Sequence, residues 1–348
     1  MISVIIIAKE QLIKGVFNVF NKRKYYRTYS DYLKEKYGEK VYKLPVCLPV
    51  TCPNRDGTLG VGGCIYCGEE GGVFGNQSPE YTIKQQINRL RPHIKERYNA
   101  RKFIVYFQTF TNTYIPLEEF KKYVFEALED DEIVELSIST RPDCISEEYL
   151  DFLDQVKLET KKNVTIELGL QTVNYHTLKK LNRGHSLAEF IDAVSRIKQR
   201  DFEICSHVIL NLPWDSMIDV VENSKIISAL KIDTVKLHSL YIVKGTPLAE
   251  MLEKGEIHLI SREEYIERVI TFLEHLDPEI AVQRLVSRAP EQPTLFVNWN
   301  TSWWRIRDKI ENLMEKRGSF QGKRFDYLNG KALKGIKNSK KEYPDTQT

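Results

Sequence analysis

Six short apolar segments alternate with amphipathic helical ones, and a Gly- and Pro-rich loop follows the first of them. This pattern predicts an α/β fold: a partial (βα)6 TIM-like barrel with N-terminal and C-terminal extensions. The candidate strands are 43–50, 103–108, 134–139, 164–170, 203–210 and 234–240, each rich in Val, Ile, Leu or Phe and bounded by turn signals. Strands joined through helices run parallel, and right-handed crossovers curl their sheet. Six units are too few to close an eight-stranded barrel, so an open one is expected. The expected division is an N-terminal extension over 1–42, a barrel core over 43–288, a helical extension over 289–330 and a basic, disordered tail over 331–348.

Taken in order, the chain opens on MISVIIIA, too short to span a bilayer and without a cleavage-like site. It reads as a first strand or docking segment, and the cytoplasm is the expected compartment, with no membrane partner. Residues 20–43 interleave Tyr25, Tyr26, Tyr29, Tyr32, Tyr37 and Tyr42 with lysines and arginines. Such a pattern suits a nucleic-acid backbone; it equally suits a helix from about 30 to 37 whose tyrosines pack on the domain. Helices are predicted over 82–98, 117–128, 146–156, 186–199 and 215–230. Ser261 with Glu264 forms a capping box that opens another. Residues 279–287 are a candidate further strand. An amphipathic helix over 302–317 is ended by Gly318, and the lysine-rich tail could touch RNA phosphates. A net charge of +3 on 348 residues does not by itself argue for nucleic acid.

The loop over 51–71, TCPNRDGTLGVGGCIYCGEEG, places Cys52, Cys64 and Cys67 in the spacing C-x11-C-x2-C. Its glycines and Pro53 break helix and strand alike, so it can fold back and bring Cys52 to the other two. Six cysteines in so long a chain, and three in this loop, do not suggest disulfides. Structural zinc needs four ligands, and Cys47 could be the fourth. A [4Fe–4S] cluster held by three thiolates leaves one iron for a small molecule. That is the arrangement radical S-adenosylmethionine (SAM) chemistry requires. Cys144 and Cys205 read as small core residues, and no second cysteine set suggests an auxiliary cluster.

The loop, together with YFQTFTNTY (106–114), STRPD (139–143), ELGLQT (167–172), LNRGH (181–185) and HVILNLP (207–213), resembles the radical SAM enzymes. Within them it is similar to the bacterial subfamily that also resembles the radical SAM core of the Elongator catalytic subunit. GEKVYK (38–43) and FQGK (320–323) extend the resemblance from about residue 24 to about 325.

The resemblance implies a [4Fe–4S] cluster on Cys52, Cys64 and Cys67, with SAM as second cofactor and a flavodoxin or ferredoxin as reductant. It implies Tyr66 near the adenine, Gln108 near the SAM amino group, Gln171 and Arg183 on the ribose and carboxylate, and His207 toward the ribose. A guanidinium matches a carboxylate in fork geometry, which suits the role given to Arg183. Gln108 stands where relatives carry a glycine-rich motif, and Asn211-Leu212-Pro213-Trp214 stands where they read GLPG. Glu167 in an apolar strand needs a partner, with Arg141 or His207 as candidates beside cofactor or substrate; Arg141 and Asp143 pose the same question. Lys244, Thr246, Gln283 and Arg284 are candidates for the substrate side. Three functions are carried forward: radical modification of tRNA at a wobble uridine, radical chemistry on a small metabolite or peptide, and a zinc-stabilised RNA-binding protein.

Overall fold

The computed structural model describes residues 25–69, 78–288 and 293–333. The readings placed on 1–8 and on 334–348 lie outside the described residues. The chain enters through α1 (Tyr29–Tyr37) and then alternates: β1 (Val41–Val46), α2 (Ile83–Tyr98), β2 (Lys102–Phe107), α3 (Leu117–Leu128), β3 (Ile133–Thr140) and α4 (Glu147–Thr160). It continues with β4 (Asn163–Gln171), α5 (Tyr175–Lys180), α6 (Leu187–Ile197), β5 (Glu203–Ile209), α7 (Met217–Ala229) and β6 (Thr234–His238). A small antiparallel sheet follows, β7 (Ile242–Val243) pairing with the later β9 (Thr294–Phe296), and between them come α8 (Pro247–Glu253), α9 (Arg262–His275) and β8 (Ala281–Arg284). The last helix is α10 (Trp303–Lys316).

The main sheet has seven strands in the order β1-β2-β3-β4-β5-β6-β8, every neighbour pair parallel. It is a curled half-barrel. The count corrects the expected six: the 279–287 segment supplies the seventh strand, led in parallel by α9. The first strand also ends earlier than predicted, at Val46. There the Cys47 backbone amide turns to the Gln86 side chain, 2.8 Å away, instead of continuing the ladder. Two helices escaped the sequence. α5 is six residues long and held by its Asn174 cap, and α8 starts on Pro247 behind the Thr246 cap; neither is long enough to show a period.

Helix boundaries follow local chemistry. Thr82 with Gln85, Ser186 with Glu189 and Ser216 with Asp219 form reciprocal capping boxes. Outward-facing strand residues such as Ile166, Leu168 and Leu170 are fully buried under the helices. The inward face is polar. Lys43, Tyr106, Ser139, Gly169, His207, Lys236 and His238 all line the barrel cavity, because alternate strand residues point to opposite sides. The N-terminal tyrosines are taken up in packing. Tyr29, Tyr32 and Tyr37 surround Leu33, Val41 and Ile104, and the Tyr26 hydroxyl donates to Glu311 at 3.0 Å. Of the two readings of residues 20–43, the packed helix is the one seen in the described part. Among the described residues no helix is long and apolar enough to cross a membrane.

Candidate active site

The half-barrel encloses a cavity of about 1010 Å³ whose wall includes Cys52, Cys64 and Cys67. All three thiols come from the loop after β1, at the C-terminal ends of the strands. The loop is shaped by its own backbone: Arg55 N donates to Cys52 O at 2.8 Å, Gly63 N to Asn54 O at 2.8 Å and Cys67 N to Cys64 O at 2.9 Å. It is docked by the LNRGH segment. Ile65 N donates to Leu181 O at 3.1 Å, and Asn182 Nδ2 donates to Gly63 O at 2.9 Å. Gly184, at φ 75°, lets this segment pass close: a Cβ there would stand 3.1 Å from both Arg141 Nη2 and Asn54 Oδ1.

Two guanidiniums face the sulfurs. Arg183 Nη1 reaches Cys64 Sγ at 3.5 Å while its Nη2 donates to Gly169 O at 2.9 Å. Arg55 Nη1 reaches Cys67 Sγ at 3.6 Å. Burial, then the charges of Cys64 and Cys52, push the Cys67 thiol up, and Arg55 opposes them. Three crowded thiols of this kind take the thiolate form when a metal supplies the compensating charge. Cys47 is buried and does not line the cavity.

Gly169 is a cradle. A Cβ there would lie 2.6 Å from Arg183 Nη2 and 3.0 Å from Gln171 Nε2. Gln171 itself has φ 72°, with a register shift against β5 beside it. A non-glycine residue in the left-handed region is strained, and here the turn aims β4's last side chain into the cavity. Gln108, Gln171, Arg183, Tyr66 and His207 all line the wall with the cysteines. Arg183 Nε and Asn54 Oδ1 are buried with no partner in the structure.

Glu167 is the hub of the barrel floor. Its Oε2 accepts from Lys236 Nζ at 2.6 Å and meets His207 Nε2 at 2.7 Å. Its Oε1 accepts from Ser137 Oγ at 2.8 Å and pairs with Lys43. These cations, together with the His207 hydrogen bond, hold the carboxyl well below its usual range despite full burial. His207 is a partner of Glu167; Arg141 is not, since it forks onto Asp143 at 2.9 and 2.6 Å and donates to Arg183 O at 2.8 Å. Burial and Lys236 lower His207 to about 4, so its ring is neutral near pH 7. Glu167, Cys205 and His207 lie within 4.8 Å of one another as possible metal donors. Two ammonium groups already occupy the carboxylate, and burial pushes the Cys205 thiol to about 12. This is a cation-filled network and a poor metal site.

Sequence reasoning missed Lys43, Lys236, Tyr106 and His238. Lys236 sits on β6 with its Nζ 4.4 Å from the Tyr106 ring centre. A lysine and a histidine at alternate positions of an otherwise apolar strand, VKLH, were the available signal.

The profile of the radical SAM superfamily matches residues 51–227, and that of the radical SAM C-terminal domain matches 232–316. The chain belongs to the radical SAM superfamily. It is a radical SAM enzyme, of a family that uses a [4Fe–4S] cluster and SAM. The residues present fit that pair: a soft three-thiolate donor set, a glycine cradle at β4 and an unsatisfied, buried guanidinium edge. An uncharacterised relative, protein MJ0486 of Methanocaldococcus jannaschii, is 36% identical over 92% of this chain and 99% of its own. The tRNA uridine(34) acetyltransferase of Methanocaldococcus infernus is 28% identical over 53% of this chain and 34% of its own length. The solved structure of archaeal Elp3 from Methanocaldococcus infernus, lacking its N-terminus, shares the fold. Its TM-score is 0.59 at 21% identity, over 81% of this chain and 64% of that one.

Proposed function

We propose that this radical SAM enzyme modifies tRNA at the wobble uridine, with the cluster on Cys52, Cys64 and Cys67. The observation that carries the radical half is the meeting of three thiols, Arg183 and the Gly169 cradle on one cavity wall. Two supports carry the tRNA half. A relative overlapping half of the chain is named a tRNA uridine(34) acetyltransferase. The cavity wall carries Lys40, Arg55, Arg288 and Arg307 and, among the described residues, no Asp or Glu.

When bound, the cluster and SAM together supply a 5′-deoxyadenosyl radical for hydrogen abstraction. The chain's own residues do the rest. Arg183, anchored on Gly169 O, offers a fork to the SAM carboxylate, and Gln171 offers an amide to its ribose. Tyr66 lies between two of the cysteines in sequence and faces the cavity beside them. Its hydroxyl is held neutral by burial, which suits stacking on an adenine. His207, bound to Glu167, stands neutral in the wall. A flavodoxin or ferredoxin supplies the electron.

The zinc alternative has little to rest on, because Cys47 stays off the cavity wall. The deciding experiment is anaerobic reconstitution with iron and sulfide, followed by a reduced assay for 5′-deoxyadenosine and nucleoside analysis of tRNA. A band near roughly 400 nm, SAM cleavage lost in Cys52→Ala and a changed wobble nucleoside are the expected results. A colourless protein holding one zinc would overturn the radical reading. SAM cleavage with unaltered tRNA would remove the tRNA reading alone.

A further inference from the structure

Each of the buried arginines among the described residues has an answer to its charge or its hydrogen bonds. Arg141 forks onto Asp143, Arg268 reaches Glu264 and two carbonyl oxygens, and Arg183 lies on Gly169 O and Cys64. Arg284 differs. It ends β8 beside Lys236 in the ladder and lines the cavity. Among the described residues its side chain donates only to the His238 ring, with Nη2 2.5 Å from Nδ1 and 3.1 Å from Nε2. Its Nε is buried with no partner. Burial and the Arg284 charge keep His238 well below its usual range, so it answers the guanidinium as a neutral ring.

No carboxylate of the described residues forms an ion pair with Arg284. Glu167, the acid that acts on it, already serves Lys43, Lys236 and His207. Glu135 on β3 and Glu203 on β5 share Lys36. The hydroxyls of Tyr106, Tyr241 and Tyr265 also act on Arg284, each held neutral by burial. A half-buried guanidinium whose Nε is shut off from solvent without a partner is costly unless an anion completes it. Five N–H donors in a planar fork select a carboxylate or phosphate.

We propose that Arg284, backed by His238 and flanked by Lys236, is an anion subsite for the second substrate, taking a carboxylate or phosphate group. It lies on the seventh strand, whereas Arg183 follows the fourth. The inference rests on reading the cavity as the substrate chamber of a radical enzyme, and it narrows the substrate to one that carries an anionic group into the barrel.

The test uses the reconstituted, oxidised enzyme saturated with SAM, so that Arg183 is engaged and no turnover occurs. Thermal midpoints are followed against sodium phosphate and against sodium acetate, at ionic strength held constant with sodium chloride. The wild type is expected to gain stability with at least one anion. In Arg284→Gln the concentration needed should rise about tenfold or more, as for loss of a charge-assisted hydrogen bond. A response to acetate alone assigns the subsite to a carboxylate, and a response to phosphate alone to a phosphate. Should Arg284→Gln not fold, Arg284→Lys keeps the charge without the fork, and its anion response should weaken several-fold. An anion response equal in wild type and variant, or absent from the SAM-saturated wild type, overturns the proposal. Binding of tRNA is measured on the same proteins. An Arg284-dependent anion response without tRNA affinity would keep the subsite and remove only the tRNA reading.

Discussion

Gly169 shows how one missing methyl group organises a site. Its carbonyl anchors Arg183, and its empty Cβ position lets the guanidinium lie against the strand. Gly169→Ala must displace the fork, which is the mobile end of a long side chain, so the cost falls on binding and little on stability. The expected result is a SAM affinity about tenfold weaker with a nearly unchanged melting temperature; equal SAM affinity would show that the fork is not used. His207 makes a second prediction at this scale. It is held at about 4 in the fold, whereas an unfolded histidine takes its proton near about 6.5. Between those pH values the unfolded chain binds more protons, so stability present above about 6.5 is lost as pH falls toward 4. The slope is up to about 1.4 kcal/mol per pH unit for one group. Asp215, raised to about 6 mainly by burial, acts with the opposite sign. Denaturant unfolding of His207→Gln should show a shallower fall over this range, and parallel curves would sink the assignment.

The cysteine spacing was legible because a turn presents its thiols through adjacent residues, and local chemistry is written locally. Most helices were legible for the same reason: apolar periodicity predicted them to within a few residues, and Thr82, Ser186 and Ser216 cap three of them in the structure. The docking of the cysteine loop was not. LNRGH is readable as a motif, yet its work is done on a loop 119 residues away, where Asn182 holds Gly63. Gly184 is where this docking is most exposed to substitution. A Cβ at φ 75° meets Arg141 and Asn54 together, and a side chain is strained in that region by about 1–3 kcal/mol. Gly184→Ala should therefore loosen the loop and lower the iron retained after reconstitution and desalting, by several-fold against wild type. Full iron content in the variant would mean that the loop holds its shape without the LNRGH segment.

Sheet curvature sets what the interior can be, and curvature is what a linear pattern hides. Glu167 meets Lys43 from 124 residues away and Lys236 from 69. Nothing in the sequence says that these strands face one another, so Glu167 read as an unpaired acid in search of a partner. The same curvature gathers cations at the cavity wall without a carboxylate among the described residues, and there a whole-molecule prediction belongs. Lys40 and Arg288 are exposed and Arg307 is partly so, all three on the wall. If they meet tRNA phosphates, affinity must fall with salt, because each neutralised phosphate releases counterions. Substituting the three by serine should weaken tRNA binding and lower the magnitude of the log–log salt slope by roughly 0.7–0.9 for every phosphate that is no longer neutralised. The melting temperature should hardly move, since Lys40 forms one exposed hydrogen bond to the Tyr98 carbonyl and the Arg307–Asp308 pair is itself exposed. A slope identical in the triple variant would place the RNA on another face and leave the cavity to a small anionic substrate.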